Sequence, residues 1–295
     1  MTVGFFIASV EQGLVYAIMA LGVYLTFRIL DFPDLTVDGS FPLGAAVAAK
    51  MIVDGYSPVA ATLVPLLCGA CAGIITGVLH TKGRIAGLLA GILTMTALYS
   101  INLRIMGRPN IPLLREETLI SQFSSAIPQP FANILLFSLA VIIIVLFLDW
   151  FLYTEIGLAL RATGDNPYMI RSLGANTDAM KILGLAMSNA LVSLSGALVA
   201  QHQGFADAQM GIGMIVAGLA SVIIGEVVCG AKSIPFATVA VVVGSVIYRL
   251  AISVALLVGF RASDLKLITA ILVIIALTTP QMKSILKVNK VKSSS

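Results

Sequence analysis

Few residues in this chain have the types and spacing that catalysis or metal binding requires. The segment from Gly225 to Ser233 reads GEVVCGAKS, a phosphate-binding GxxxxGK[ST] loop with one residue too many. Such a loop needs its Gly, Lys and Ser in fixed register after a buried strand, whereas an apolar helical run precedes this one. Cys68 and Cys71 form a CxxC pair without a second pair at ligand spacing, and His80 and His202 are far apart. The sequence therefore predicts no metal site, no bound cofactor and no enzymatic activity of this chain.

The longest polar segment between two apolar runs covers residues 155–178 and reads EIGLALRATGDNPYMIRSLGANTD. Asp165 or Asn166 can cap a short helix there, Pro167 suits its first turn, and Gly174 can end it in the left-handed conformation. This helix would have an apolar face made of Tyr168, Met169, Ile170 and Leu173. A soluble partner could bind that face, and an ordinary helical connection is the alternative that the spacing leaves open.

Composition indicates the environment in which this segment lies. Hydrophobic residues make up 59% of the 295 residues and charged residues 11%, and the mean hydropathy is +1.03. A water-soluble domain could not hide so much apolar surface, so the chain is predicted to reside in a bilayer. The net charge of +4 is too small and too scattered to indicate a nucleic-acid partner.

Runs of about 20 apolar residues mark the helices that cross the membrane. We expect an all-α polytopic bundle of about nine spans, with eight or ten also compatible. The predicted spans are Gly4–Phe27, Thr36–Val53, Ser57–Leu79, Ile85–Leu103, Phe131–Leu148, Ile182–Gln201, Ala208–Gly225, Pro235–Leu257 and Leu267 to about Thr279. The proline-rich residues 105–130 are expected to form an ordered loop with a short interfacial helix.

The second predicted span is interrupted at its start by Asp38, Gly39 and Pro42. Irregular backbone at membrane depth is tolerated only where protein or water covers it. The stretch 31–42, DFPDLTVDGSFP, therefore either lines a cavity or forms a cytoplasmic loop, and the residue types favour the loop.

Small and polar residues mark where helices pack. Glycines recur every fourth residue at Gly69, Gly73 and Gly77, and again at Gly87 and Gly91, a spacing that lets helix backbones approach closely. Uncharged polar side chains either join helices or line a translocation path, and joining helices is favoured. The candidates for a path are Asp38, Ser40, Thr96, Tyr99, Ser100, Asn102, Asn189 and Ser193.

Ionisable residues inside predicted spans are the other candidates for a transport role. Glu11 and Glu226 lie near span ends, where their side chains can reach water. Arg249 lies deeper and is expected to need a carboxylate or carbonyl partner.

The distribution of basic residues predicts an orientation. If nine spans are threaded with the carboxyl end in the cytoplasm, 11 of the 18 Lys and Arg residues lie inside, and six lie outside. The inside group is Arg28, Lys82, Arg84, Arg161, Arg171, Lys181, Lys232, Lys283, Lys287, Lys290 and Lys292, and the outside group is Lys50, Arg104, Arg108, Arg115, Arg261 and Lys266. This orientation places residues 155–178 in the cytoplasm, and the basic tail can contact anionic lipid.

Three stretches resemble a known family of membrane proteins. EQGLVYAIMALGVYLTFRILDFPDLTVDGSFPLGAAVAA near the start, ALRATGDNPYMIRSLGANTDAMKILGLAMSNALVSLSGAL in the middle and GLASVIIGE are similar to permease subunits of ATP-binding-cassette importers of the branched-chain amino-acid and sugar type. Within it the chain looks closest to a bacterial subgroup labelled as tryptophan or amino-acid importers. The resemblance implies one permease domain over residues 1–295 with a type II-like importer fold, in the bacterial inner membrane.

The resemblance also implies partners and a site. The expected partners are two cytoplasmic ATPases, which would use ATP and Mg, a second and identical permease, and an extracytoplasmic substrate-binding protein. A coupling helix at about 161–175 would dock on the ATPase, which assigns docking to Arg161, Asp165, Asn166, Pro167, Tyr168, Met169, Arg171, Leu173 and Gly174. An ion-coupled secondary transporter or channel acting alone is the alternative function that the residues leave open.

Overall fold

The computed structural model describes residues 2–126, 131–230, 233–260, 264, 267–271, 273–274 and 278. These residues form eleven α-helices, one π-helical turn and two short strands. The elements in chain order are α1 (Thr2–Tyr24) with a π turn (Leu25–Ile29), α2 (Val37–Val53), α3 (Pro58–Thr81), α4 (Gly87–Met106), β1 (Asn110–Pro112), α5 (Leu119–Ala126), α6 (Phe131–Tyr153), α7 (Glu155–Asp165), α8 (Pro167–Ser172), α9 (Thr177–Gln203), β2 (Phe205–Asp207), α10 (Met214–Cys229) and α11 (Ile234–Val258).

The predicted all-α membrane bundle is confirmed. In the described part of the chain, six helices are long and apolar enough to cross a membrane, and α10 is apolar but shorter. Each of the first eight predicted spans overlaps a helix, but the count of nine is not confirmed. The ninth predicted span is described only at residues 267–271, 273–274 and 278, and the predicted basic residues Lys232, Arg261, Lys266, Lys283, Lys287, Lys290 and Lys292 lie outside the described residues.

Helix α9 is the centre of the bundle, and α3 packs closely along it. A Cβ atom added at Gly69 or Gly73 would collide with the backbone carbonyl of Asn189 or Leu185. A Cβ atom at Gly77 would lie 2.8 Å from the Cα atom of Ile182. The glycine spacing thus reports helix packing, as the sequence predicts.

The bundle has two ends, which are distinguished by the elements that lie there. One end contains α7, α8 and the start of α9, and we call it the α8 end. There Lys181 Nζ lies 3.3 Å from His80 Nε2 at the end of α3, and Arg28 Nε lies 2.8 Å from Glu226 Oε1 at the end of α10. The other end, which we call the ribbon end, contains the antiparallel pair β1–β2.

Between the π turn and α2 the chain runs without helix through residues 31–34. Asp31 has φ +50°, which turns the chain out of helix α1. Gly87 and Gly91 of α4 lie against this segment, since a Cβ at Gly87 would lie 2.7 Å from the Phe32 ring and one at Gly91 would lie 2.9 Å from Leu35 N. Phe32 and Asp34 of this segment are therefore buried against protein, whereas Asp31 and Pro33 are exposed.

Candidate functional site

Helix α8 begins with two features that the sequence predicts. Asn166 is its N-cap, and the Asn166 Oδ1 atom accepts a hydrogen bond of 3.1 Å from Met169 N. Pro167 occupies the first turn, where a missing N–H costs nothing. Asp165 is instead the last residue of α7, so of the two predicted caps only Asn166 acts as one.

Helix α8 ends in a left-handed turn. Gly174 has φ +88°, and Ala175 N donates to Ile170 O at 3.2 Å, which closes the last turn. Arg171 contacts the start of α9, with Nη2 2.8 Å from Thr177 Oγ1 and 3.4 Å from Asp178 Oδ1. These local contacts fix the shape of a helix of six residues without any help from a core.

Three of the four residues of the predicted apolar face are exposed, whereas Ile170 is half-buried. Tyr168 is 83% exposed, Met169 58% and Leu173 71%, and no residue of α8 is buried. We call these three side chains the α8 ridge. A rigid, unburied apolar ridge is what a soluble partner can bind by removing it from water.

Helix α7 anchors α8 to the bundle. Thr154 caps α7 by accepting from Gly157 N at 3.2 Å. Leu160 is fully buried in a cluster with Leu30, Phe32 and Leu185. A Cβ at Gly164 would collide with the carbonyl of Ile29, so α7 lies directly on the end of the π turn.

A polar groove of about 380 Å³ lies beside α7, and Arg161 and Asp165 line it together with Arg28 and Glu226. The nine predicted docking residues thus divide into two groups. Arg161 and Asp165 face this groove, whereas the other seven belong to α8, its two caps and Gly174, the residue after the C-cap.

Three of the predicted path residues lie inside the bundle and join helices. Ser40, Asn189 and Ser193 have no exposed surface. Ser40 Oγ donates to Asn189 Oδ1 at 2.7 Å, and Ser193 Oγ donates to the carbonyl of Pro65 at 2.7 Å. These hydrogen bonds join helices, and their role in a translocation path stays a prediction.

Four other predicted path residues, Asp38, Thr96, Tyr99 and Asn102, line one cavity of about 310 Å³. The Asp38 carboxylate caps α10, because it accepts from Gly213 N at 2.9 Å and from Ile215 N at 2.8 Å. This cap explains why α10 begins at Met214 rather than at the predicted Ala208.

Asn102 and Ser100 differ in their surroundings. The Asn102 side chain is fully buried. Its Nδ2 donates to Gly39 O at 3.2 Å, and its Oδ1 has no hydrogen-bond partner within the described part of the chain. Ser100 is exposed on α4 and is not among the residues of the cavity.

Asp34 belongs to the stretch 31–42 discussed above but was not among the predicted path residues. Asp34 is 2% exposed, and its Oδ2 accepts a hydrogen bond of 2.7 Å from Asn189 Nδ2. Asn189 lies about 18 Å along α9 from Thr177, at 1.5 Å per residue. The carboxylate is therefore at membrane depth, although its neighbours in sequence read as a loop.

Hydroxyl groups extend this polar region. Thr36 N donates to Asp34 Oδ1 at 2.9 Å, while the Thr36 and Thr76 hydroxyls lie 2.8 Å apart. Thr76 Oγ1 donates to Thr94 Oγ1 at 2.9 Å. The start of α2 is thus tied to α3, α4 and α9 by side chains whose types alone did not reveal the arrangement.

Comparison with known proteins identifies relatives of this chain. A family model described as "Branched-chain amino acid transport system / permease component" matches residues 5–278. The tyrosine transport system permease protein of Clostridioides difficile (strain R20291) is 47% identical over 97% of this chain and 95% of that protein. An uncharacterised protein of Rickettsia prowazekii (strain Madrid E) is 37% identical over 92% of this chain and 96% of its own length. The autoinducer 2 import system permease protein of Photorhabdus luminescens is 27% identical over 77% of this chain and 66% of its own.

These matches include the polar segment as well as the apolar helices. The family model extends from α1 beyond the end of α11, and it contains α7, α8 and the segment around Asp34. Thus the chain belongs to the branched-chain amino acid transport system permease family, and it is a multi-pass permease component of an ATP-binding-cassette transporter.

Proposed function

We propose that this permease imports an amino acid and that its α8 ridge docks on a partner ATPase. A partner ATPase and a substrate-binding protein are implied for members of the family. The observation that carries the docking proposal is the ridge itself, since Tyr168, Met169 and Leu173 are exposed on a helix whose shape is fixed by its own caps. Burial of this apolar surface favours binding, and little conformational entropy is lost because the helix is already ordered.

The anchoring of α7 supplies a route for coupling. A displacement of α8 would move α7, and α7 is in contact with Ile29 through Gly164 and with Leu30 through Leu160. Residues 29–36 lead directly to Asp34 and its hydrogen bond to Asn189. Closure of the ATPases around ATP and Mg would therefore act on the irregular segment before α2. The permease chain itself would bind neither ATP nor Mg.

The proposed orientation places the α8 end and the carboxyl end in the cytoplasm and the protein in the bacterial inner membrane. Basic residues at the α8 end support this orientation. The described ones are Arg28, Lys82, Arg84, Arg161, Arg171 and Lys181. The proposed assembly contains two identical permeases, two ATPases and one extracytoplasmic substrate-binding protein.

An aromatic amino acid is the proposed cargo. The relative that is 47% identical is a tyrosine transport system permease, and the similarity extends over nearly the whole of both chains. We therefore propose L-tyrosine or a closely related amino acid as the solute that passes through this protein.

Reconstitution tests the proposal. The permease, the ATPase and the binding protein would be placed in proteoliposomes, and uptake of labelled L-tyrosine would be measured with and without ATP. ATP-dependent uptake that also needs the binding protein is expected. Uptake driven by an ion gradient without ATP would overturn the proposal in favour of a secondary transporter.

A further inference from the structure

Arg249 is a cation at membrane depth that borders a cavity. It lies in α11 (Ile234–Val258), about 22 Å along the helix axis from Ile234 at 1.5 Å per residue. The cavity has a volume of about 370 Å³ and is lined by α10, α11 and residues that follow α11, among them Met214, Tyr248 and Thr269. A hydrocarbon core of roughly 30 Å would place Arg249 well inside the membrane.

The guanidinium of Arg249 stacks on an aromatic ring and has no anionic partner among the described residues. Its Cζ atom lies 3.4 Å from the centroid of the Tyr16 ring and 6.0 Å from that of Tyr248. Its Nε is buried and makes no hydrogen bond to any residue that the structure describes. In the described part of the chain, no carboxylate forms an ion pair with Arg249. A charge at this depth ordinarily pairs with an opposite charge or marks a transport path.

Two acidic side chains on α1 and α2, Glu11 and Asp38, are engaged by other groups. Asp38 accepts two hydrogen bonds from the N-terminus of α10. Glu11, which precedes Tyr16 on α1, lies 3.5 Å from Asn133 Nδ2 and 4.0 Å from His202 Nε2. Neither carboxylate is positioned to neutralise Arg249.

Contacts other than the Arg249–Tyr16 stack also join α1 to α11. Ser245 Oγ donates to Gly13 O at 2.8 Å on one side of it. On the other side, Ser9 Oγ donates to Ser253 Oγ at 2.7 Å. A Cβ at Gly13 would lie 2.8 Å from the Cα of Val246, so the two backbones touch without the arginine.

We propose that Arg249 binds the carboxylate of the amino-acid cargo as it passes through the protein. This inference rests on the proposed function, which supplies the cargo. The two terminal nitrogens of a guanidinium can hold a carboxylate by paired hydrogen bonds, and the Tyr16 ring lies beside the group that would hold it. A lipid phosphate shares the anionic chemistry, and the test separates the two sources.

Uptake in the reconstituted transporter is the first measurement. R249Q should lower L-tyrosine uptake about 10- to 100-fold, the range for a lost hydrogen bond to a charged group. ATPase stimulation by the loaded binding protein should remain within about twofold. R249K keeps a cation near Tyr16 but loses the bidentate geometry, so it should show a smaller loss. Arg104→Gln, which removes an exposed cation from the end of α4, should leave uptake unchanged.

Native mass spectrometry of the purified permease identifies what Arg249 holds. The wild type should retain L-tyrosine but not tyramine, which lacks the carboxylate, and R249Q should retain neither. Loss of phosphatidylglycerol adducts in R249Q, with L-tyrosine binding intact, would overturn the proposal in favour of a lipid site.

Three further outcomes separate this inference from the proposed function. If R249Q and R249K both took up L-tyrosine as fast as the wild type, only the inference would be overturned. A wild type that does not take up L-tyrosine would overturn the proposed cargo and the inference with it. A lower melting temperature, with uptake and stimulated ATPase activity lost in parallel in both variants, would assign Arg249 a structural role instead.

Discussion

Replacing Leu173 with serine should weaken ATPase docking without affecting the fold of the permease. Leu173 is 71% exposed and follows the last residue of α8. Surface substitutions of this kind change the free energy of unfolding by less than about 0.5 kcal/mol. The change therefore acts on the complex and leaves the free permease intact.

The expected magnitude follows from the exposed area. Complete burial of a leucine side chain stabilises by about 1.5–3 kcal/mol, and 71% of Leu173 is available for burial. Its removal should cost about 1–2 kcal/mol of binding free energy, which raises the dissociation constant about 5- to 30-fold. The same argument applies to Tyr168 and Met169, although neighbouring hot spots are not additive.

The assay is a titration of the permease in lipid nanodiscs with the purified ATPase, together with a thermal melt of each variant. Leu114→Ser is the matched control, because Leu114 is 84% exposed but lies next to Gly204 at the ribbon end. The control should bind the ATPase as the wild type does. Equal dissociation constants for Leu173→Ser and the wild type, or equal weakening by both substitutions, would refute the docking argument.

Leu173 is a better test of docking than the charged docking residues Asp165 and Arg171. Asp165 borders the groove beside Arg161, and Arg171 is bonded to Thr177 and Asp178. Reversing either charge would disturb contacts within the permease as well as any contact with a partner. Leu173 separates the two effects.

Three other substitutions test the packing and capping described above. Gly73→Ala would force a Cβ into the carbonyl of Leu185 and should lower stability by about 1–3 kcal/mol, whereas Gly4→Ala, with nothing within 4 Å, should not change the melting temperature. Asp38→Asn leaves one acceptor oxygen where the α10 cap uses two, and it should lower stability by about 1–2 kcal/mol in a thermal or denaturant melt. Asn166→Ala removes the cap of α8 at a cost of about 1 kcal/mol and should weaken ATPase binding while the melting temperature of the bundle stays constant.

Features that depend on local sequence were the ones that could be predicted. The cap at Asn166, the proline at the next position and the left-handed Gly174 each follow from one residue's own conformational preferences. The glycines at 69 and 73 could be identified because a spacing of four places them on one face of a helix. Their partner α9 could not be named, since spacing does not tell which helix lies opposite.

The ribbon illustrates a pairing that local sequence conceals. Residues 105–130 were expected to contain a loop and a short helix, and α5 is present. Strand β1 pairs with β2, which is far away in sequence. Strand β2 ends at Asp207, directly before Ala208, where the seventh span was predicted to start. Three-residue strands carry too little alternation for a pattern to be detected.

The depth of a residue in the membrane is the property that could be predicted least well from the sequence. Asp34 reads as part of a loop because Asp31, Pro33 and Asp34 stand together, yet its carboxylate meets Asn189 in the interior of α9. The chain reaches that depth through residues 31–34 without forming a helix, so a hydropathy window assigns the segment to the surface.

For Arg249, in contrast, the sequence predicted the depth in the membrane but not the neighbouring group. Its position inside a span was clear from hydropathy, and a carboxylate or carbonyl partner was expected, but the group beside it is the ring of Tyr16. A π face is an adequate neighbour for the flat side of a guanidinium and leaves its edge donors unused. Because those donors are the strongest anion-binding groups of the side chain, stacking holds Arg249 in place without occupying the atoms that would bind a carboxylate.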